Sequence, residues 1–355
     1  MINNLFREDL KEFKAYVPVL NDKKVILNAN ESFLNLSDNL MDEALDRIKD
    51  ASFNRYPDGC LDNLTKLYSD FVKVSKNNVM VGNGSDELIS IIIYALLNEN
   101  DSIVTLSPDF SMYKNYALVK GAKVLEYKLD YKFNLDMDRF IEFINENKPK
   151  LVFLSNPNNP TGNIIEENQL IKLIEKVNSI VVIDEAYVEF YGKSIIEKIY
   201  EYDNLIVLRT SSKALGLAGL RLGFLITGDI LYKEVLKAKP PYNVNKISST
   251  VGEVVLENPE IIKDNINKII ESKLYIENNF KNFPKIKSYK SYTNFVLIKY
   301  EHIEALYKYL SERDISIRIF NGELQGFARI SSGTLEENNM LLKTLKSYFK
   351  EMDND

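Results

Sequence analysis

The sequence predicts an α/β protein with a large, mostly parallel sheet covered by helices on both faces, followed by a smaller α+β domain. Between residues 78 and 239, short apolar runs alternate with amphipathic stretches. These runs are apolar at nearly every position, which is typical of parallel strands buried on both faces. After Lys239-Pro240-Pro241, longer helical patterns surround short strands. The length of 355 residues fits about two domains.

The elements follow from the period of the apolar residues. In the large domain we expect strands at Val79–Val81, Ser102–Leu106, Ala122–Tyr127, Leu151–Ser155, Ile180–Ile183, Leu205–Leu208 and Phe224–Thr227. Helical periodicity covers Asp86–Leu97, Asp136–Glu146 and Glu166–Val177. In the last third we expect helices at Ile261–Asn279, Glu301–Arg313 and Leu335–Tyr348, with strands at Phe295–Ile298 and Phe327–Ile330. The expected parts are an N-terminal arm (1–30), a large domain (31–239) and a small C-terminal domain (240–355).

Composition excludes several classes of function. The chain has 45 Lys and Arg against 51 Asp and Glu, and no basic stripe that would suit a nucleic acid. Its longest apolar stretches, such as Leu88–Leu97, are too short to span a bilayer. The first residues show neither the apolar segment nor the cleavage site of a secretory signal, so we expect a cytoplasmic protein.

The single His and the single Cys limit the available chemistry. They exclude multi-histidine metal sites and the thiolate clusters of structural zinc, so we expect no metal. One cysteine also forms no internal disulfide. An enzyme with this sequence must therefore work with Lys, Asp, Tyr, Arg and Ser side chains, or with a bound cofactor.

Polar residues follow four of the expected strands, at the edge where ligands bind in open α/β sheets. Gly82-Asn83-Gly84-Ser85-Asp86 opens a helix and offers an anion site, although Asp86 could equally be a helix cap. Asn156-Pro157-Asn158-Asn159-Pro160-Thr161-Gly162 forms a rigid turn. Asp184 ends a buried strand, where a carboxylate needs a cationic partner. Lys213 lies in a loop of small and apolar residues, where desolvation would favour a nucleophilic amine.

Together these loops offer an anion cradle, a rigid Asn, a carboxylate and a lysine that desolvation can activate. Such a set suits pyridoxal phosphate, which needs a phosphate site, a partner for its ring nitrogen and an amine for a Schiff base. A dinucleotide site fits poorly, because the first loop lacks the full Gly-x-Gly-x-x-Gly pattern.

The motifs NNPTG, VVIDEAY and SSKALGLAGLRLG, in this order and spacing, resemble those of fold-type I aminotransferases. RYPD, GNGSDE, SPDFSMY and NANE make the chain similar to the histidinol-phosphate aminotransferase family over nearly its full length. This resemblance implies pyridoxal phosphate as cofactor, a homodimer with shared sites and the fold of fold-type I transferases. It further implies ping-pong transamination of L-histidinol phosphate with 2-oxoglutarate, in histidine biosynthesis.

The resemblance also implies roles for individual residues. Lys213 would form the Schiff base, Asp184 would pair with the ring nitrogen, and Asn159 and Tyr187 would bind the ring hydroxyl. Tyr113 would stack on the ring. The phosphate would be held by Ser85, Asp86, Thr210, Ser212 and Arg221, together with Tyr56 of the neighbouring subunit. Substrate contacts would come from Arg329, Arg318, Tyr16, Asn30 and Tyr242.

Other functions remain open at this point. Threonine-phosphate decarboxylases share the cofactor apparatus and also bind a phosphorylated amine. Aromatic or broad-specificity aminotransferases form another alternative. Phe110, two residues before Met112, stands where tyrosine is more usual, and this departure weakens the assignment of the substrate. Outside enzymes, the chain could be a binding or regulatory protein on the same fold, although intact Lys213 and Asp184 favour catalysis.

Overall fold

The computed structural model describes residues 5–11, 22–59 and 61–353. Its strands are β1 (Val25–Leu27), β2 (Val79–Asn83), β3 (Ser102–Ser107), β4 (Lys123–Lys128), β5 (Leu151–Ser155), β6 (Ile180–Asp184), β7 (Leu205–Thr210), β8 (Leu222–Thr227), β9 (Lys287–Ser288), β10 (Phe295–Lys299), β11 (Ile315–Ile319) and β12 (Phe327–Ser331). Its α-helices are α1 (Asp38–Lys49), α2 (Asp62–Val72), α3 (Ser85–Leu96), α4 (Met112–Lys120), α5 (Met137–Asn147), α6 (Glu167–Lys176), α7 (Val188–Tyr191), α8 (Asp229–Leu236), α9 (Lys246–Leu256), α10 (Pro259–Asn279), α11 (Ile303–Ser311) and α12 (Leu335–Met352).

The large sheet has seven strands in the order β2-β8-β7-β6-β5-β3-β4. Only β8 is antiparallel to its neighbours, so the carboxyl ends of the other six strands meet at one edge. The predicted large, mostly parallel sheet is therefore confirmed. All seven of its strands match the expected positions, with shifts of one or two residues at their ends.

Both faces of this sheet are buried, as the continuous apolar runs predict. In β6, Val181 and Ile183 point into one cluster of buried side chains, whereas Val182 points into the other. Helices α5 and α6 contribute to the first cluster and α3 to the second. The sheet is thus the middle layer of three, and only its edges are available for a ligand.

The small sheet has five strands in the order β1-β11-β12-β10-β9. Its first strand comes from the other end of the sequence, because Val25 pairs in parallel with Ile315. The expected arm (1–30) is therefore anchored at its end by a strand of the small sheet. Residues 28–30 continue directly from this strand towards the large sheet.

The change of core falls later in the chain than the predicted junction at residue 239. Val244 and Val255 in and before α9 lie in the large core. Helix α10 belongs to both cores, since Ile262 and Ile269 pack in the large one and Ile276 in the small one. We propose that the two domains divide within α10 rather than at the Lys-Pro-Pro segment.

Within the described ranges, no helix is both long and apolar enough to cross a membrane. The same residues contain no group of three His, Cys, Asp or Glu side chains that could hold a metal ion.

Candidate active site

Asp184 ends β6 at the carboxyl edge of the large sheet and is 4% exposed. Its two oxygens accept hydrogen bonds from the Tyr113 hydroxyl (2.7 Å) and from the Ala186 amide (3.1 Å). Burial raises the pKa of the Asp184 carboxyl to about 6, although both hydrogen bonds oppose that rise. A carboxylate has lone pairs for a third donor, so a protonated ring nitrogen fits here and would hold Asp184 in its charged form.

Lys213 follows β7 in the loop that the sequence predicts to be desolvated. Burial, followed by the positive charge of Arg329, lowers the pKa of its amine to about 8. The amine donates a hydrogen bond to the carbonyl oxygen of Ala29 at 2.9 Å. A lysine with this pKa supplies a substantial fraction of neutral amine near pH 7–8, as a Schiff-base lysine and general base requires.

The N-terminus of α3 forms an anion cradle next to Arg221. At Gly84, with φ of +86°, an added Cβ would lie 2.6 Å from the Arg221 guanidinium. Gly223 brings β8 against the same turn, since a Cβ there would lie 2.3 Å from the Ser85 amide nitrogen. Arg221 also pairs with Asp86 at 3.2 Å. Free amides and an arginine at a helix N-terminus are the groups that bind a phosphate.

Thr210 and Ser212 lie beside the lysine in the same loop, and both are buried. The Thr210 hydroxyl donates to the Ser212 hydroxyl at 3.0 Å and accepts from the Ser212 amide at 3.1 Å. These bonds fix the loop locally, so the two hydroxyl groups are held together at the end of β7.

Residues 28–30 connect the lysine to the small domain. Besides the contact of Ala29 with the lysine, the Asn28 carbonyl accepts from Arg329 at 2.9 Å. The Asn30 side chain donates to the Tyr187 hydroxyl at 2.9 Å. Asn30 has a positive φ of 55° and is held by Ser331. Three consecutive residues thus contact three of the predicted site residues.

Arg329 and Arg318 lie directly opposite each other on β12 and β11. Side chains of such a pair project from the same face, and like charges in this position destabilise a sheet. Among the described residues, Arg318 forms no ion pair. Arg329 donates to the side-chain oxygen of Asn159 and lies over the Phe295 ring at 5.3 Å. The pair is suited to a ligand with anionic groups.

Tyr113 differs from the expectation that it stacks on a ligand ring. Its ring is fully buried and stacks on Phe153 at 5.0 Å, while its hydroxyl binds Asp184. Tyr113 lies in the first turn of α4, on the same buried face of the helix as Ala117, and so packs into the core. Phe110 precedes that helix, is only half-buried and contacts the edge of Tyr113, so it is the better placed aromatic.

Tyr56 and Tyr242 lie apart from these side chains, on the surface. Their rings stack at 4.8 Å, although they are 82% and 48% exposed. Tyr16 falls outside the described residues. Among the other predicted residues, Lys213, Arg329 and Tyr187 are linked by residues 28–30, and Asn159 bonds Arg329.

Sequence reasoning missed Ala29, Ser331 and Asn294. The side-chain amide of Asn294 donates to the Asn30 carbonyl at 3.0 Å. Only NANE points to this segment, because Ala29 acts through its backbone carbonyl, and Ser331 and Asn294 lie 301 and 264 positions away from Asn30.

A model of the family "Aminotransferase class I and II" matches residues 22–345. A histidinol-phosphate aminotransferase of Clostridium kluyveri is 46% identical, covering 99% of this chain and 100% of that one. One of Clostridium novyi is also 46% identical, over 98% of each chain. The crystal structure of histidinol-phosphate aminotransferase from Sinorhizobium meliloti in complex with pyridoxal-5'-phosphate has a TM-score of 0.89 at 21% identity, covering 98% of each chain.

Proposed function

Because the chain belongs to the class I and II aminotransferases, and within them to the histidinol-phosphate aminotransferase family, we propose that the geometry described above serves one reaction. That reaction transfers the amino group of L-histidinol phosphate to 2-oxoglutarate, giving imidazole acetol phosphate and glutamate, in histidine biosynthesis. Pyridoxal phosphate is the cofactor. The cross-strand pair of Arg318 and Arg329 carries the substrate assignment, since one substrate brings a phosphate and the other two carboxylates.

When bound, pyridoxal phosphate supplies an electron sink for negative charge at the substrate's α-carbon. The anion cradle at the start of α3, with Arg221, Thr210 and Ser212, is the site for its phosphate. The carboxylate of Asp184 holds the proton on the ring nitrogen, and the bond from Tyr113 keeps that carboxylate in place.

Lys213 acts as the general base that removes the proton from the α-carbon. Its lowered pKa makes the neutral amine available near neutral pH. The Ala29 carbonyl, which accepts a hydrogen bond from the amine, holds the side chain beside the site. Tyr187 and Asn159 supply hydrogen bonds to the ring hydroxyl, and Asn30 holds the hydroxyl of Tyr187.

Arg329 receives the carboxylate of glutamate or 2-oxoglutarate, because its planar guanidinium matches a carboxylate in two-point contact. Arg318 receives the second anionic group, which is the phosphate of histidinol phosphate or the distal carboxylate of 2-oxoglutarate. Phe110 takes the stacking position that the family resemblance implies for Tyr113.

A spectrum of the cofactor-loaded protein under single-turnover conditions tests the substrate. We expect the visible band to bleach on addition of histidinol phosphate and to return on addition of 2-oxoglutarate. The Arg318→Gln variant should need more of both substrates. A band that responds to phosphothreonine with release of carbon dioxide, and not to histidinol phosphate, would replace this function by a decarboxylase. A response to aromatic amino acids alone would indicate an aromatic aminotransferase.

We further propose a cytoplasmic homodimer in which Tyr56 of one subunit reaches the phosphate of the cofactor bound in the neighbouring subunit. The exposed aromatic side chains Phe53, Tyr56 and Tyr242 support an interface here, because large apolar groups this exposed favour a partner surface.

Mixing two defective variants tests the shared site. If Lys213→Ala and Tyr56→Ala subunits exchange, each mixed dimer holds one intact site, and activity should recover to about a quarter of wild type. No recovery, with subunit exchange shown by mass spectrometry, would place Tyr56 in its own subunit's site. Full activity of the Tyr56→Ala variant alone would place Tyr56 outside any site.

A further inference from the structure

Asp109 lies at the carboxyl edge, two residues after β3, and none of the predicted roles involves it. Its carboxylate accepts hydrogen bonds from the Phe110 amide at 2.8 Å, from the Ser155 amide at 3.2 Å and from the Ser155 hydroxyl. It therefore ties the segment after β3 to the last residue of β5.

The hydroxyl of Ser155 has its direction fixed by these contacts. Its oxygen accepts from the Asn158 side-chain amide and from the Asn159 backbone amide, both at 3.1 Å. A hydroxyl has two lone pairs and one proton, so its proton must point to the third neighbour, Asp109. The carboxylate thus orients Ser155 to hold the two asparagines.

These contacts continue to the groups that bind ligands. The side-chain oxygen of Asn159 accepts from Arg329. Ser155 also pairs in register with Asp184, whose carbonyl accepts from the Asn156 amide at 2.8 Å. A displacement of Ser155 would therefore reach both the ring-nitrogen partner and the substrate arginine.

We propose that Asp109 is a positioning residue of the active site, which acts through the Ser155 hydroxyl to fix Asn159 and, through Asn159, to aim Arg329 at the substrate carboxylate. The substrate part rests on the proposed function. The positioning of Asn159 does not, because it concerns contacts within the chain alone.

The environment of Asp109 is costly for a carboxylate that only ends a turn. Burial raises the pKa of Asp109 to about 7, and the nearby charge of Asp184 acts in the same direction.

Asp101 provides a matched control at the other end of β3. It likewise links this strand to the flank of β5, through Lys150 at 3.1 Å, and accepts from the Asn98 amide at 2.7 Å.

The experiment compares Asp109→Asn, Ser155→Ala and Asp101→Asn. The Ser155 backbone amide and the Ser155 hydroxyl both donate to the Asp109 carboxylate. In Asp109→Asn, the side-chain NH₂ group, which is a donor, takes the place of one of the two accepting oxygens. We expect KM for 2-oxoglutarate to rise about 10-fold while kcat stays within about threefold, because a hydrogen bond that orients a charged group is lost. Ser155→Ala should give a similar rise, and Asp101→Asn none.

Amide hydrogen exchange in the cofactor-free protein gives the second readout. The Asn159 amide should exchange about tenfold faster in Asp109→Asn and Ser155→Ala, and at the wild-type rate in Asp101→Asn. The double variant should show less than the sum of the two single effects, since both break one chain of hydrogen bonds.

Unchanged exchange at Asn159 in Asp109→Asn would overturn the proposal, as would a KM within twofold of wild type. If Asp109→Asn does not fold, Ser155→Ala decides in its place. If even the wild-type protein does not turn over 2-oxoglutarate, the proposed function fails, and the exchange rates still decide whether Asp109 positions Asn159.

Discussion

The two edges of the large sheet are formed by the same strands, but polar and charged side chains are solvated at one edge and desolvated at the other. At the amino edge, Asn204 donates to the backbone carbonyls of Ile174 and Ser179 at 3.0 and 3.1 Å, and the Asp101–Lys150 pair faces solvent. At the carboxyl edge, Asp184 and Lys213 are desolvated.

The pKa values follow this difference. Hydrogen bonding from Asn98 lowers the pKa of Asp101, so its charged form is the favoured one. Burial raises the pKa of Asp184 to about 6 and lowers that of Lys213 to about 8. The amino edge thus stabilises the charged form of Asp101, whereas the carboxyl edge holds Asp184 and Lys213 close to the pH at which they exchange protons. Catalysis is therefore expected at the carboxyl edge and not at the amino edge, although the central strands that join the two edges are mostly apolar.

The largest effect is expected for Lys213→Ala. Removal of the base should lower kcat by at least about 10³-fold, since positioned general bases contribute 10²–10⁴-fold and the Schiff base is lost as well. Stability of the cofactor-free protein should not fall, because a desolvated amine is removed. Borohydride reduction should no longer attach the cofactor to the chain. Turnover above a tenth of wild type would mean that another lysine serves as the base.

Arg209 should dominate stability at the carboxyl edge. Its guanidinium is buried between Glu185 and Glu189, each at 2.8 Å. Arg209→Met leaves two buried carboxylates without their cation, so we expect a loss of about 3–5 kcal/mol in the free energy of unfolding. Lys150→Met, at the amino edge, should cost less than about 1 kcal/mol. Urea unfolding of both variants measures this contrast.

Adding Glu185→Gln and Glu189→Gln to Arg209→Met should restore part of the lost stability. If it restores none, packing rather than charge accounts for the effect of Arg209.

The pH dependence of stability should have opposite signs at the two edges. The folded-state pKa of Asp184 is raised, so its contribution is present below pH 4 and is lost as pH rises to about 6. The folded-state pKa of Asp101 is lowered, so the contribution of Asp101 to the free energy of unfolding is lost as the pH falls through this lowered pKa. The stability of the wild-type protein should therefore fall between pH 4 and 6 by on the order of 1–3 kcal/mol. In Asp184→Asn this fall should be absent.

Thermal unfolding of the cofactor-free protein from pH 3 to 7 measures both slopes. Asp101→Asn should instead weaken the protein only above about pH 4, by less than about 1 kcal/mol. Equal slopes in both variants would remove the distinction between the two edges.

Asn204→Ala is expected to have a small effect on stability and none on catalysis. It takes donors from two carbonyl groups that are only partly enclosed, so unfolding should cost about 1 kcal/mol less than in wild type. Because the residue lies at the amino edge, kcat and KM should not change. A shift in KM would show that the two edges are coupled.

The large sheet could be predicted because buried parallel strands leave continuous apolar runs. Asp184 could be found because a charged residue that directly follows such a run is buried at cost unless it pairs with another group or binds a ligand. Lys213 could be found because it lies in a loop of small and apolar residues, where an amine is desolvated. The three-residue strand β1 could not be predicted, since Val25–Leu27 is too short to show a period and its partner lies at the other end of the chain.

Some of the candidate site was beyond sequence reasoning for a different reason. Whether Tyr113 or Phe110 faces the ligand depends on where α4 begins, and helix starts are uncertain by several residues in a sequence. The role of Asp109 depends on its bonds to Ser155, 46 positions away. Such contacts depend on the strand order, which no local pattern contains.

The pairing of β1 with β11 has a consequence for the order in which the site is made. A ribosome releases residues 28–30 early, but Asn30 and its partner Ser331 are 301 positions apart. The large sheet can close during translation once its strands have all emerged, yet residues 28–30 must wait until β11 and β12 have also been synthesised. The nascent chain is therefore expected to gain a folded cofactor cradle well before it gains a substrate pocket.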